Sequence, residues 1–204
     1  MRLGARDVLG ATVALAVAVV CVRLGFWQLD RLAQRRAHNA ALAARLALPP
    51  LAVVRGTLAD SALNRRLTAR GVYDFAHELI RPGKSFDGTP GVSLVTPLRI
   101  ADGSTVLVER GWVPSPDARH VDQTLYREAD TAAVEGIGTD EHDGALILRQ
   151  SGIAAPRGLP RRWPGPALDD GPHLSYAIQW FSFAVIIVVG TVALLRKTTV
   201  LASS

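Results

Sequence analysis

Three polar aromatic residues stand where an apolar run begins near the C-terminus. In "GPHLSYAIQWFSFAVIIVVGTVALLRK", residues 171 to 197, His173, Tyr176 and Trp180 fall at i, i+3 and i+7, which on a helix places them on one stripe. Pro172 suits a first helical position, so His173 belongs to the opening turn. The aromatic belt of a membrane boundary accounts for Tyr176 and Trp180 without any ligand, but it does not call for a histidine. A neutral imidazole facing an apolar planar ligand is a good ligand for haem iron, and that is the chemistry this stripe would serve. A second stripe ends an earlier apolar run: "GFWQLDR" holds Trp27, Gln28 and Arg31. If the two helices pack side by side, Trp27, His173, Tyr176 and Trp180 line a small aromatic groove, with Arg31 or Arg35 above it to receive carboxylates.

The elements that must carry these residues are two membrane-length segments. Val8 to Trp27 reads "VLGATVALAVAVVCVRLGFW", broken only by Arg23, and Leu174 to Leu195 carries no charge. About twenty helical residues cross a hydrocarbon core of ~30 Å. A cleaved signal peptide is the alternative for the first run; its long apolar core and the lack of an A-x-A-like site before "WQLDRLAQRRA" favour a retained anchor. The few residues before Val8 leave no room for a mitochondrial transit peptide, and the expectation is a bacterial plasma-membrane protein. Arg196 and Lys197 follow the second span while Asp169 and Asp170 precede it, which predicts a cytoplasmic C-terminus. Arg2 and Arg6 agree at the N-terminus, whereas Arg31, Arg35 and Arg36 pull the other way. The expected order is thus a cytoplasmic N-terminus over 1–7, spans at 8–27 and 174–195, and a cytoplasmic tail at 196–204. Outside lie a juxtamembrane helix over 28–48, a β-rich domain over 49–150 and a Pro/Gly-rich connector over 151–173.

Composition narrows the chemistry of that external domain. The chain has 204 residues, 49% of them hydrophobic, with a single cysteine, Cys21, inside the first span, so the domain must hold together without disulfides. One Cys and one Met also exclude CxxC thiol exchange, dithiolate copper binding and CxxCH haem attachment. "RPGKS" looks like the end of a phosphate loop, but Glu78 occupies the place of its first glycine and no βαβ pattern surrounds it. There is no G-x-S-x-G, "HELIR" lacks a second zinc-binding histidine, and His77, His120 and His142 are scattered. The sequence pI near 10.1 does not indicate nucleic acid, because residues 60 to 143 hold nine basic against fourteen acidic side chains. The basic excess (Arg31, Arg35, Arg36, Arg45, Arg157, Arg161 and Arg162) lies toward the spans, where it suits solvation or lipid phosphates.

Between the spans, β-prone runs alternate with turn signals. Expected strands are "LAVVRGTL", "RRLTARGVY", "HELIRP", "GVSLVTPLRI", "STVLVERGWV" and "TAAVEGIGTD", with "GALILRQ" as a further one and "IADGST" as the clearest hairpin turn. The fold class is therefore two transmembrane α-helices flanking an external all-β-rich domain, a sandwich or partly open barrel. Gly71 and Gly111, inside β-prone runs, mark bulges or close backbone approaches.

Three motifs carry a resemblance over nearly the whole chain. Gly25, Trp27, Gln28 and Arg31 in "GFWQLDR", Arg110, Gly111, Trp112, Val113 and Pro114 in "ERGWVP", and His173, Leu174, Tyr176 and Trp180 in "HLSYAIQWF" resemble the surfeit locus protein 1 family of cytochrome c oxidase assembly factors. Glu109 departs from the asparagine that commonly precedes R-G-W there, and "GPH" replaces a more usual Asn-containing lead-in. The resemblance implies a non-enzymatic factor that assists delivery of haem a to oxidase subunit I, with haem a synthase, subunit I and the lipid bilayer as partners. It implies a haem a binder with His173 on the iron, to which the aromatic groove read from the two helix ends adds Tyr176, Trp180, Trp27 and Arg31 as the haem-binding set. The alternative is an assembly scaffold that binds no haem.

Overall fold

Alanine, leucine and valine fill the first forty-odd residues with few helix breakers, and they form one unbroken helix, α1, over Ala5–Ala47. The computed structural model describes residues 4–140, 145–151, 154–155 and 158–201; Arg2, His142 and Arg157 lie outside them. The expected span at 8–27 and juxtamembrane helix at 28–48 are thus a single element, which Pro49 and Pro50 stop. A four-residue helix, α2 (Ala59–Ala62), and the C-terminal α3 (His173–Leu201) are the other α-helices among the described residues. α1 and α3 are each long and apolar enough to cross a membrane. The chain divides into two compact units, residues 1–41 with 168–204, and residues 42–167.

In the first unit α1 and α3 pair antiparallel: Ala18 and Cys21 pack with Ala184, Gly25 lies against Phe181, and Gln28 meets His173. Along α1 the covered positions include Ala14, Ala18, Cys21, Gly25, Gln28, Leu32, Arg35 and Asn39, alternating four and three residues apart. That is the heptad spacing of a coiled-coil seam. Small residues dominate its first half, and they let two backbones approach closely where lipid supplies no hydrophobic drive for helix association.

The second unit is a seven-stranded sheet. Its strands are β1 (Leu51–Ala52), β2 (Arg66–Tyr73), β3 (Leu79–Phe86), β4 (Thr89–Ile100), β5 (Thr105–Pro114), β6 (Thr131–Asp140) and β7 (Leu146–Gln150). The order is β1-β2-β6-β7-β5-β4-β3, and a further pairing of β2 with β4 closes β2, β6, β7, β5 and β4 into a ring. The sandwich alternative is therefore set aside for a small barrel. Leu67, Ala69, Tyr73, Leu98, Val106, Val108, Val134 and Leu148 fill its core. Closure brings backbones close at Gly71, where a Cβ would stand 2.1 Å from the Arg99 carbonyl oxygen.

Two strands differ from the sequence expectation for local reasons. "LAVVRGTL" contributes only Leu51 and Ala52, because Val54 and Thr57 close a turn through Gly56 at positive φ. "HELIRP" loses His77 to a 3-10 turn (Phe75–His77), and the strand instead runs on through "GKS" to Phe86 past a register shift between Arg81 and Lys84. The phosphate-loop lookalike is thus extended β-structure.

Candidate functional site

His173 opens α3, half-buried, with its Nδ1 2.9 Å from Oε1 of Gln28 on α1. The loop that leads into it is strapped to the same helix. Arg35 Nε and Asn39 Nδ2 both donate to the Asp169 carbonyl oxygen, at 3.2 and 2.8 Å, and Arg36 pairs with the Asp170 carboxylate at 2.8 Å. Gly171 then turns the chain at a φ of +66°, with its N–H donating to Asp169 Oδ1 at 2.9 Å. A Cβ at residue 171 would lie 3.8 Å from Nε2 of His173 and 3.6 Å from Cδ2, so the glycine leaves that ring edge uncovered. Among the described residues no side chain other than Gln28 bonds the imidazole. The ring is therefore held at one nitrogen and open at the other.

The five residues expected at the site are not gathered into one groove. Trp180 lies half-buried against the cluster of Ala18, Cys21 and Ala184, its ring edge-on to Phe183 at 5.9 Å. Tyr176 is 46% exposed. Trp27 is also exposed, and the Arg31 guanidinium sits 5.4 Å from its ring centroid while donating to Gln34 Oε1 at 2.9 Å. The hollow beside Trp27, about 280 Å³, is lined by Arg23, Leu24, Phe26, Trp27 and Asp30, all on α1. Geometry thus sets His173 and Trp180 along the seam and Trp27 with Arg31 on another face of α1. Gln28, Arg35, Arg36 and Asn39 are what residue-by-residue reading passed over as supports of His173; their spacing down α1 is the signal that singles them out. Among the described residues no three His, Cys, Asp or Glu side chains converge as a metal site.

The R-G-W-V-P motif is structural in its contacts. Leu94 pairs with Gly111 but Val95 pairs with Glu109, so Arg110 is the extra residue of a β-bulge, and both Glu109 and Arg110 turn into the interior. Arg110, fully buried, donates to Glu78 and to Thr96 Oγ1 (2.7 Å), the Tyr126 carbonyl (2.7 Å) and Glu128 (3.0 Å), with its guanidinium 5.1 Å from the Phe75 centroid. Beside it, burial and then the negative charge of Glu128 push the Tyr73 phenol well above its ordinary range. Burial also pushes the Glu109 carboxyl up, but hydrogen bonds from Arg149 (2.8 Å) and Ser93 (2.7 Å) outweigh it and hold the group below the usual carboxylate range. Gly111, at φ +140°, lets Trp112 exchange backbone hydrogen bonds with Arg161, where a Cβ would come within 2.4 Å of the Arg161 oxygen. Glu109 is consequently an interior ion-pair partner and not part of the domain surface.

Comparison with known proteins bears on both units. The profile of the SURF1 family matches residues 15–185, which include α1 from Leu15, the barrel and the first half of α3. The chain belongs to the SURF1 family. Uncharacterized SURF1-like proteins of Mycobacterium bovis and Mycobacterium tuberculosis are 27% identical over 216 residues, covering 88% of this chain and 80% of theirs. A SURF1-like protein of Monosiga brevicollis is 27% identical over 226 residues, covering 90% of this chain and 86% of its own. The family match spans the strap, Gln28 and His173 alike.

Proposed function

We propose that this SURF1 family chain is a non-enzymatic factor in cytochrome c oxidase biogenesis, and that it holds haem a as cargo between haem a synthase and oxidase subunit I. Family membership supports the oxidase role. The observation that carries the cargo role is the imidazole of His173, anchored through Nδ1 at the end of an apolar helix pair with Nε2 uncovered. A porphyrin brings its own nitrogens to the iron and asks the protein only for axial ligands, so a lone histidine suffices where a bare metal ion would need several converging side chains. His173 would supply the ligating lone pair. Tyr176 and Trp180, on the same stripe of α3, would offer apolar surface to the ring.

Graded substitution tests this. Of three substitutions only His173→Ala deletes the proposed coordinating atom, whereas Tyr176→Phe and Trp180→Phe trim walls. In protein purified from a haem-a-making host, His173→Ala should abolish or shift the Soret band, with the two phenylalanine variants keeping most of it and all three inserting normally. An unchanged spectrum together with full oxidase assembly in His173→Ala would remove the ligand role and leave a scaffold that docks subunit I without haem.

A further inference from the structure

We infer that Gln28 is a positioning residue for the haem cargo, acting by fixing which nitrogen of His173 carries the proton; the inference rests on the ligand role proposed above. Neutral imidazole has one protonated and one free ring nitrogen, and only the free one can bind iron. In water the side chain favours the proton on Nε2, the form that could not ligate through its open edge. Oε1 of Gln28 lies 2.9 Å from Nδ1, and a carbonyl oxygen there can only accept. The contact therefore demands Nδ1–H, and the lone pair moves to Nε2, the edge that Gly171 leaves uncovered. A hydrogen-bond acceptor on the far nitrogen also raises the basicity of the ligating one and fixes the plane of the ring.

The strap separates this role from simple packing. Arg35, Arg36 and Asn39 tie residues 169 and 170 to α1 through their own hydrogen bonds, so the start of α3 stays in place when Gln28 loses its amide. Gln28 occupies a seam position, between Gly25 and Leu32, where leucine is compatible with an apolar helix pair. Gln28→Leu should therefore remove the acceptor and spare the helices. Gln28→Glu keeps an acceptor oxygen at the same reach and strengthens it.

The full chain in detergent, labelled with nitrogen-15 histidine and without haem, gives the direct readout at a pH where the imidazole is neutral. His173 is assigned by the signal missing in His173→Ala. Wild type and Gln28→Glu should show the Nδ1–H tautomer, and Gln28→Leu should shift toward Nε2–H. Hemin titration is the second readout: Gln28→Leu should bind about tenfold more weakly than wild type. The reduction midpoint of bound hemin should move positive in Gln28→Leu and negative in Gln28→Glu, opposite directions that lost packing would not produce. An Nε2–H wild type, as expected if Gln28 instead turned its amide nitrogen to the ring, overturns the inference, as does a tautomer indifferent to Gln28→Leu. Hemin affinity and midpoint unmoved in both Gln28 variants, with binding lost in His173→Ala, overturn it while sparing the ligand role. Wild-type hemin binding in His173→Ala would remove that role and this inference with it.

Discussion

Arg110 and Glu109 are adjacent in sequence, carry opposite charges and are both buried, yet neither pairs with the other: Arg110 answers Glu78 and Glu128, and Glu109 answers Arg149. Each charge is desolvated and is tolerated only because several donors or acceptors reach it. The pH dependence follows from Glu109. Its folded-state affinity for a proton is lowered, so the stability it contributes is present above the ordinary glutamate value of ~4.3 and is lost as pH falls through that value toward the folded one. Glu109→Gln should be less stable than wild type by about 1–3 kcal/mol at pH 7. The gap should narrow below about pH 4, where wild type also protonates. Thermal melts of both proteins across pH 3 to 8 check this, and a gap that stays constant with pH would show that Glu109 is not ionised in the folded protein. None of this pairing could be read from "ERGWVP", because a bulge of one residue decides which way Arg110 points, and that bulge exists only against Leu94 and Val95 of another strand.

The helix pair makes a sharper demand on glycine than the sequence suggests. A Cβ on Gly25 would sit 2.6 Å from the Phe181 ring, and that ring already stands edge-on to Phe26 at 5.3 Å, so it has little room to turn away. Gly10 and Gly190, on the same two helices, meet nothing within 4 Å. Gly25→Val should cost about 1–3 kcal/mol through overpacking, while Gly10→Val and Gly190→Val stay close to wild type in thermal unfolding in detergent. In the barrel, Gly71→Glu should cost about 3–5 kcal/mol, since its side chain would start inside the Arg99 carbonyl. Equal midpoints for Gly25→Val and Gly10→Val would deny the close approach. Strand alternation and Asp102-Gly103 made most of the barrel legible in advance, because those signals are local. The seam was not legible as a seam. Ala18, Cys21 and Gly25 differ little in hydropathy from the lipid-facing residues around them, so a pattern built on small size leaves no amphipathic trace.

For the whole molecule, the charges that flank two helices able to span a membrane decide the expected orientation. Arg31, Arg35 and Arg36 weigh against an external position for the end of α1 if each counts as a free positive charge. Arg36 is paired with Asp170, and Arg35 donates to the Asp169 carbonyl oxygen, so two of the three are engaged by the segment that precedes α3. Orientation is read instead from the second span, where Arg196 and Lys197 follow the apolar run and Asp169 and Asp170 precede it. We expect a cytoplasm-dependent reporter fused after Ser204 to be active and the same reporter inserted near Gly103 to be silent. The reverse pattern would invert the assignment. Membership of the SURF1 family, the two apolar helices and the strands were accessible from the sequence because each leaves a contiguous motif. The partnership of Gln28 with His173 joins residues 145 positions apart, and only the antiparallel pairing of α1 and α3 states it.

The alternating four-and-three spacing from Ala14 to Asn39 also gives α1 a phase. Each helical residue advances the direction of a side chain by about 100°, so a single residue inserted between Gly25 and Gln28 would swing everything on one side of the insertion by that angle. Gln28 would then face His173, or Gly25 would face Phe181, but not both. Seven inserted residues would restore the direction nearly completely and yet displace the halves by about 10 Å along the axis. The interval between the smallest residue of the seam and the glutamine that meets His173 is thus fixed twice over, once as an angle and once as a length, and point substitutions leave both untouched.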